Sequence, residues 1–170
     1  ISDFQHLHSH EIFCNESGST LRFFIPIFSL CGEAISFTGK GRLLQRPQTV
    51  YESIFHAQNL LFEHSHDAIQ MQGTLKAGEY EIAGNISSQF ITGLLFALPL
   101  LKGDSIIHIA PPFESRSYID LTLQMLRNFH IEIHFLDELT IQIKGGQKYQ
   151  PKDVRIEGDY SQLAFFAVLA

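Results

Sequence analysis

Two kinds of apolar pattern alternate along this chain. Phe23 to Leu30 and Phe90 to Leu101 are apolar almost without interruption. Each predicts a short helix that is apolar nearly all round, as suits a buried central position. Gly32 then precedes a strand over Glu33 to Phe37, and Gly103 precedes one over Ser105 to Ile109. Amphipathic helices follow. Val50, Ile54, Ala57 and Leu61 recur at helical spacing in the first case, and Ile119, Leu123, Leu126 and Phe129 in the second. Ile131, Ile133 and Phe135, then Leu139, Ile141 and Ile143, alternate as half-buried strands do, with Asp137-Glu138 as the turn between them. Another strand is expected near Val154 to Ile156.

The order of these elements repeats. Gly84-Asn85-Ile86-Ser87-Ser88-Gln89-Phe90 is echoed by Gly158-Asp159-Tyr160-Ser161-Gln162-Leu163, and a looser copy begins at Glu16-Ser17-Gly18-Ser19. The period is about 70 residues, longer than the common repeat families and long enough for several helices and strands per unit. Alternation of helices and strands makes the class α/β. The expected architecture is therefore a set of repeated α/β units with central buried helices surrounded by sheets. The chain holds about two whole units and, from residue 159, the start of a third. Because the third copy stops within its first helix and residue 1 is Ile, the sequence reads as an incomplete, truncated domain.

Composition narrows the class of partner. Of the 170 residues, 45% are hydrophobic and 18% charged, which is globular. Neither long apolar run approaches the roughly 20 residues of a membrane-spanning helix, and the first residues show no basic, then apolar, pattern, so secretion is not expected. A net charge of −6 without a Lys/Arg cluster argues against nucleic acid and anionic membranes as partners. Cys14 and Cys31 have no metal-like spacing and suit a reducing, cytoplasmic compartment. His6, His8 and His10, with His64 and His66, have a spacing that some metal sites use, but they lack an acidic or cysteine partner, so no metal is expected.

The candidate chemistry lies at the helix starts. Ser87-Ser88-Gln89 directly precedes an apolar helix, where hydroxyls, an amide and free backbone N–H groups can face one anion. A serine at such a position equally serves as a helix cap, and the pattern leaves that alternative open. Glu16-Ser17-Gly18-Ser19-Thr20-Leu21-Arg22 opens the equivalent helix of the preceding unit, with Gly18 permitting close backbone approach. Arg46-Pro47 precedes the amphipathic helix beginning near Gln48, with Pro47 read as a first-turn proline. Ser115-Arg116-Ser117-Tyr118 stands at the matching start in the second unit. Gathered on one face, these groups would bind a small polyanion.

Taken together with Ile119-Asp120 and Glu157-Gly158-Asp159-Tyr160-Ser161, these motifs resemble the 3-phosphoshikimate 1-carboxyvinyltransferase (EPSP synthase) family from about Asn15 to Ala170. The resemblance implies transfer of the enolpyruvyl group of phosphoenolpyruvate to the 5-hydroxyl of shikimate 3-phosphate, in chorismate biosynthesis, without a cofactor. It implies two domains of three α/β units each, with residues 1–158 part of the substrate-binding domain and 159–170 beginning a unit of the other. Ser87, Ser88, Gln89, Ser115 and Tyr118 are expected to hold shikimate 3-phosphate. Gly18, Arg46 and Gln89 are expected at phosphoenolpyruvate, with Arg22 supporting.

One position departs from the family pattern. Glu16 stands where a neutral residue such as Asn is usual, and beside a phosphoenolpyruvate site it is expected to turn away or to pair with a cation. The family's remaining catalytic groups, the early Lys, Ser and Arg and the acidic residues of the other domain, have no counterpart here. General acid–base chemistry needs them within hydrogen-bond reach, so no catalytic residue is assigned and the chain alone is expected not to turn over. Two rival functions are a UDP-N-acetylglucosamine enolpyruvyl transferase, whose nucleotide-directed motifs are not seen, and a non-catalytic phosphate-binding module.

Overall fold

The structure, a computed structural model, describes residues 7–155 and residue 168. Two units share one order of elements. The first runs β1 (Glu11–Phe13), α1 (Gly18–Ser29), β2 (Ile35–Thr38), α2 (Thr49–Ala57), β3 (Leu61–His64) and β4 (Ile69–Gln72). The second runs β5 (Glu79–Ala83), α3 (Gln89–Ala97), β6 (Ser105–Ala110), α4 (Arg116–Asn128), β7 (Ile133–Phe135) and β8 (Thr140–Ile143). Their four-stranded sheets are ordered β1-β2-β4-β3 and β5-β6-β8-β7, so the repeat extends to topology. In each, the first two strands are parallel and the rest antiparallel.

Alternation along the strands sets the buried face. Ile35 and Phe37 of β2, Ile69 and Met71 of β4, Ile107 and Ile109 of β6, and Ile141 and Ile143 of β8 all enter the core. The helices fill that core. α3 is buried on nearly every side, as its composition predicts, whereas α1 buries Leu21, Ile25 and Pro26 and leaves Phe23, Phe24 and Phe28 half-buried. α4 turns Ile119, Leu123 and Leu126 inward as expected, with Phe129 at its C-cap.

Three expectations change in detail. α2 ends at Ala57, and Leu61 starts β3 instead of extending the helix. Asn59 takes a left-handed backbone (φ 57°) and the Leu60 N–H turns back to the Phe55 carbonyl, which stops the helix. Its buried stripe is accordingly Tyr51, Ile54 and Phe55. Pro47 precedes the N-cap, Gln48, and is outside the first turn. Each unit begins one strand earlier than its apolar helix, at β1 or β5. The strand near Val154 and the third copy from Gly158 fall, apart from Val154, Arg155 and Val168, outside the described residues.

The tightest helix contact, α1 on α3, depends on three residues acting together. Pro26 lies inside α1 and has no N–H, so the Arg22 carbonyl one turn earlier has no helical donor. The Tyr51 hydroxyl supplies it, donating to Arg22 O at 2.6 Å, with Phe90 O at 3.0 Å. Gly93 of α3 sits against the same carbonyl. Tyr51 is fully buried, and burial holds its phenol pKa well above the ordinary value, so it remains a donor. Tyr51→Phe should cost about 1–2 kcal/mol by orphaning a buried carbonyl. In a Pro26→Ala background, which restores the helical N–H, that cost should shrink, and a double-mutant cycle by urea unfolding measures the coupling.

Candidate functional site

Parallel pairing puts the C-terminal ends of β1 and β2 on one side of their sheet, and those of β5 and β6 likewise. All four helices start there, because each follows one of these strands. Their N-termini bring free backbone N–H groups to the same edge. The sequence motifs occupy these four starts.

The structure joins the predicted phosphoenolpyruvate group directly. A Cβ added to Gly18 would lie 3.0 Å from Arg46 Nη1 and 3.6 Å from Gln89 Oε1, so glycine at the start of α1 is what allows these groups to meet. Arg22 Nη1 donates to Gln89 Oε1 at 3.0 Å, and Gln89 Nε2 donates to Ser19 Oγ at 2.8 Å. The Arg22 guanidinium lies 4.4 Å from the Phe90 ring centroid, and its Nη2 reaches the Pro47 carbonyl at 3.4 Å. Gln48 ties the same loop by donating from Nε2 to Arg46 O. Gln48 and Tyr51 are thus parts of the site to which the sequence motifs gave no role, and Ser19 stood inside the α1 motif without one. Ser19 alone left a signal, since it lies one turn before Arg22 on the same helix face.

Electrostatics favour an anion. Burial lowers the Arg22 pKa from the ordinary guanidinium value; Tyr51 opposes the shift and the neighbouring positive charge of Arg46 adds to it. Among the described residues no carboxylate pairs with either arginine. Arg22 Nε and Gln48 Oε1 are buried without a hydrogen-bond partner among the described residues. The Glu16 carboxylate sits beside Gly41, where an added Cβ would lie 3.1 Å from Glu16 Cδ, and forms no ion pair among the described residues.

The helix-start serines divide into two kinds. Ser17 caps α1, its hydroxyl accepting from Thr20 N at 3.1 Å and from Thr20 Oγ1 at 2.8 Å. Ser88 and Ser115, the N-cap residues of α3 and α4, make no side-chain cap bond. Ser87 Oγ accepts a long bond, 3.4 Å, from Gln89 N. The capping alternative therefore accounts for Ser17 and not for Ser88 or Ser115, whose hydroxyls stay available. The two serine loops are neighbours, since Gly84 N donates to Ala110 O at 2.7 Å and Glu114 N donates to Gly84 O at 3.3 Å. Gly84 has no room for a side chain there, as an added Cβ would lie 2.6 Å from Pro112 O. Tyr118, in the first turn of α4, is 65% exposed at the rim.

Contrary to expectation, two of the histidines, His10 and His66, do have an acidic partner. His64 Nε2 lies 2.7 Å from Leu44 O, His10 pairs with Glu33 and His66 with Asp67, while His6 lies outside the described residues. Among the described residues no three His, Cys, Asp or Glu side chains gather as a metal site would require. No described helix is long and apolar enough to cross a membrane.

Residues 2–170 match the family model described as EPSP synthase (3-phosphoshikimate 1-carboxyvinyltransferase). A 3-phosphoshikimate 1-carboxyvinyltransferase of Clostridium kluyveri is 47% identical over 160 residues, which cover 93% of this chain and 38% of that protein. One of Clostridium beijerinckii is 50% identical over 155 residues, covering 90% and 36%. In three dimensions the chain superposes on an EPSP synthase of Acinetobacter baumannii with a TM-score of 0.72 at 21% identity, covering 92% of this chain and 35% of that one. The enolpyruvyl transferase NikO of Streptomyces tendae shares the fold more distantly, with a TM-score of 0.51 and 13% identity. The chain therefore spans less than two-fifths of the length of these relatives.

Proposed function

Because the chain belongs to the EPSP synthase (3-phosphoshikimate 1-carboxyvinyltransferase) family, we propose that it carries the shikimate 3-phosphate cradle and one wall of the phosphoenolpyruvate pocket of such an enzyme. In that reaction the substrate's 5-hydroxyl oxygen forms a bond to C2 of phosphoenolpyruvate, and the C2–O bond to phosphate breaks. The enolpyruvyl ether and inorganic phosphate leave.

The observation that carries this reading is the uncapped state of Ser88 and Ser115 at adjacent helix starts, next to two arginines that no described carboxylate neutralises. Ser87, Ser88 and Ser115 offer hydroxyl donors, and the α3 N-terminus offers N–H groups, to the 3-phosphate. Tyr118 stands at the rim of the same cradle. Arg46 presents fixed positive charge, and Gln89 an amide, toward phosphoenolpyruvate. Gly18 keeps the floor of that pocket open. Proton transfer falls to groups outside this chain, so residues 1–158 act as part of the substrate-binding domain and 159–170 begin the next. The enzyme uses no cofactor, works in the cytoplasm, and has small-molecule substrates in place of nucleic acid or membrane partners.

Calorimetric titration of the chain with shikimate 3-phosphate, beside shikimate, tests the cradle. Binding should require the phosphate and weaken about tenfold in Ser88→Ala, the value of one lost hydrogen bond to a charged group. Equal responses to the two ligands would overturn the assignment. Grafting the chain in place of the matching segment of the Clostridium kluyveri relative then tests turnover. An active chimera that loses activity with Ser88→Ala supports the reading.

A further inference from the structure

We propose that Ser19 and Arg22 are positioning residues that lock the side-chain amide of Gln89 in one orientation, with its oxygen engaged by Arg22 and one of its two N–H groups left for an anion. A side-chain amide presents two similar ends, and rotation by half a turn exchanges a donor for an acceptor. Facing a phosphate or carboxylate, one end attracts and the other repels. An unlocked Gln89 would sample both.

The contacts on either side of the amide remove that ambiguity. A guanidinium only donates, so the amide atom 3.0 Å from Arg22 Nη1 has to be the oxygen. Rotating the amide would oppose N–H to N–H. The nitrogen then lies 2.8 Å from Ser19 Oγ, which accepts one of its two N–H bonds and leaves the other for a ligand. Ser19 and Arg22 are three residues apart on α1, so a single helix face holds both ends of the amide.

Arg22 is itself firmly held, which is what makes it useful as a clamp. Its guanidinium is stacked on Phe90 and bonded to Pro47 O, and its backbone carbonyl is gripped by Tyr51. Gly18 leaves space beside Arg46 and the Gln89 oxygen, an oxygen whose negative end the Arg22 bond offsets. Arg22 therefore reaches the anion through Gln89, while Arg46 acts on it directly. The identity of the anion rests on the enolpyruvyl-transferase reading above; the lock itself does not.

Two measurements on the chain separate these statements. In nitrogen-15 NMR of the ligand-free protein, the two Gln89 side-chain amide protons should be well dispersed and slow to exchange. Ser19→Ala and Arg22→Leu should each move them toward the positions of a solvated amide. Phosphoenolpyruvate, titrated in the presence of shikimate 3-phosphate, should then bind about tenfold more weakly to each variant. Ser19→Ala, at a half-buried surface position, keeps the test open if Arg22→Leu fails to fold. Native-like Gln89 signals in Ser19→Ala would overturn the lock whatever the ligand does. Altered signals, with no phosphoenolpyruvate binding to the native chain, would uphold the lock and remove the anion's identity instead.

Discussion

Gly93→Ala should unfold or severely loosen the protein, although it replaces glycine by the best helix former inside a helix. Helix propensity alone predicts a gain of about 1 kcal/mol. Packing predicts the opposite, because an added Cβ would overlap both the Arg22 carbonyl and the Tyr51 hydroxyl, with Pro26 Cγ at 3.3 Å on the third side. None of these is the loose end of a flexible side chain. To make room, α1 and α3 must separate and the Tyr51 hydrogen bond must break. A loss of about 3 kcal/mol or more follows from overpacking plus an orphaned carbonyl. Urea unfolding followed by circular dichroism gives the sign directly. A variant as stable as the native chain would mean that the two helices do not meet at Gly93.

Arg46→Ala has the second largest expected effect, and it falls on binding. Arg46 is exposed and its guanidinium makes no hydrogen bond to the described residues, so its loss should change stability by less than about 0.5 kcal/mol. Phosphoenolpyruvate should bind about 10- to 100-fold more weakly, the value of a charge-assisted hydrogen bond at a partly desolvated site. Shikimate 3-phosphate, held by the serines, should bind as before. Arg46→Lys should fall between, because an ammonium keeps the charge but loses the planar, two-pronged donor. Titrating phosphoenolpyruvate with shikimate 3-phosphate already bound measures this. Weakening of both ligands alike would show that Arg46 supports the whole edge instead of one pocket.

These two predictions draw on different levels of information. Arg46 and Gly18 were named through the family resemblance of their motifs, and the structure brings the two together at the start of α1. The repeated units were legible because strands alternate with period two and helices with three and four, as in Ile141 and Ile143 or Ile119, Leu123 and Leu126. β1 and β5 escaped notice for a physical reason. β1 has only three residues and β5 five, too short a run for alternation to stand out from a loop. Leu61 was misplaced because its spacing continues a helix that Asn59 has already ended by taking a left-handed backbone.

The cap question shows the same limit. Ser17, Ser88 and Ser115 all stand at helix starts, yet only the backbone geometry of each start decides whether the hydroxyl turns back to its own helix or stays free. Likewise only the fold places the Glu16 carboxylate beside Gly41.

Local pattern was thus enough to determine the α/β class, the repeated order of elements and the core faces of the later strands, because each element depends on residues within a few positions of one another. The tertiary structure alone decided that Gln89 meets Ser19 and Arg22 across about 70 residues of chain, that Tyr51 replaces the N–H that Pro26 lacks, and that Gly93 must be glycine. The Gln89 and Gly93 contacts join the two units and the Tyr51 contact joins two helices of one unit, so no periodicity along a single element carries that information.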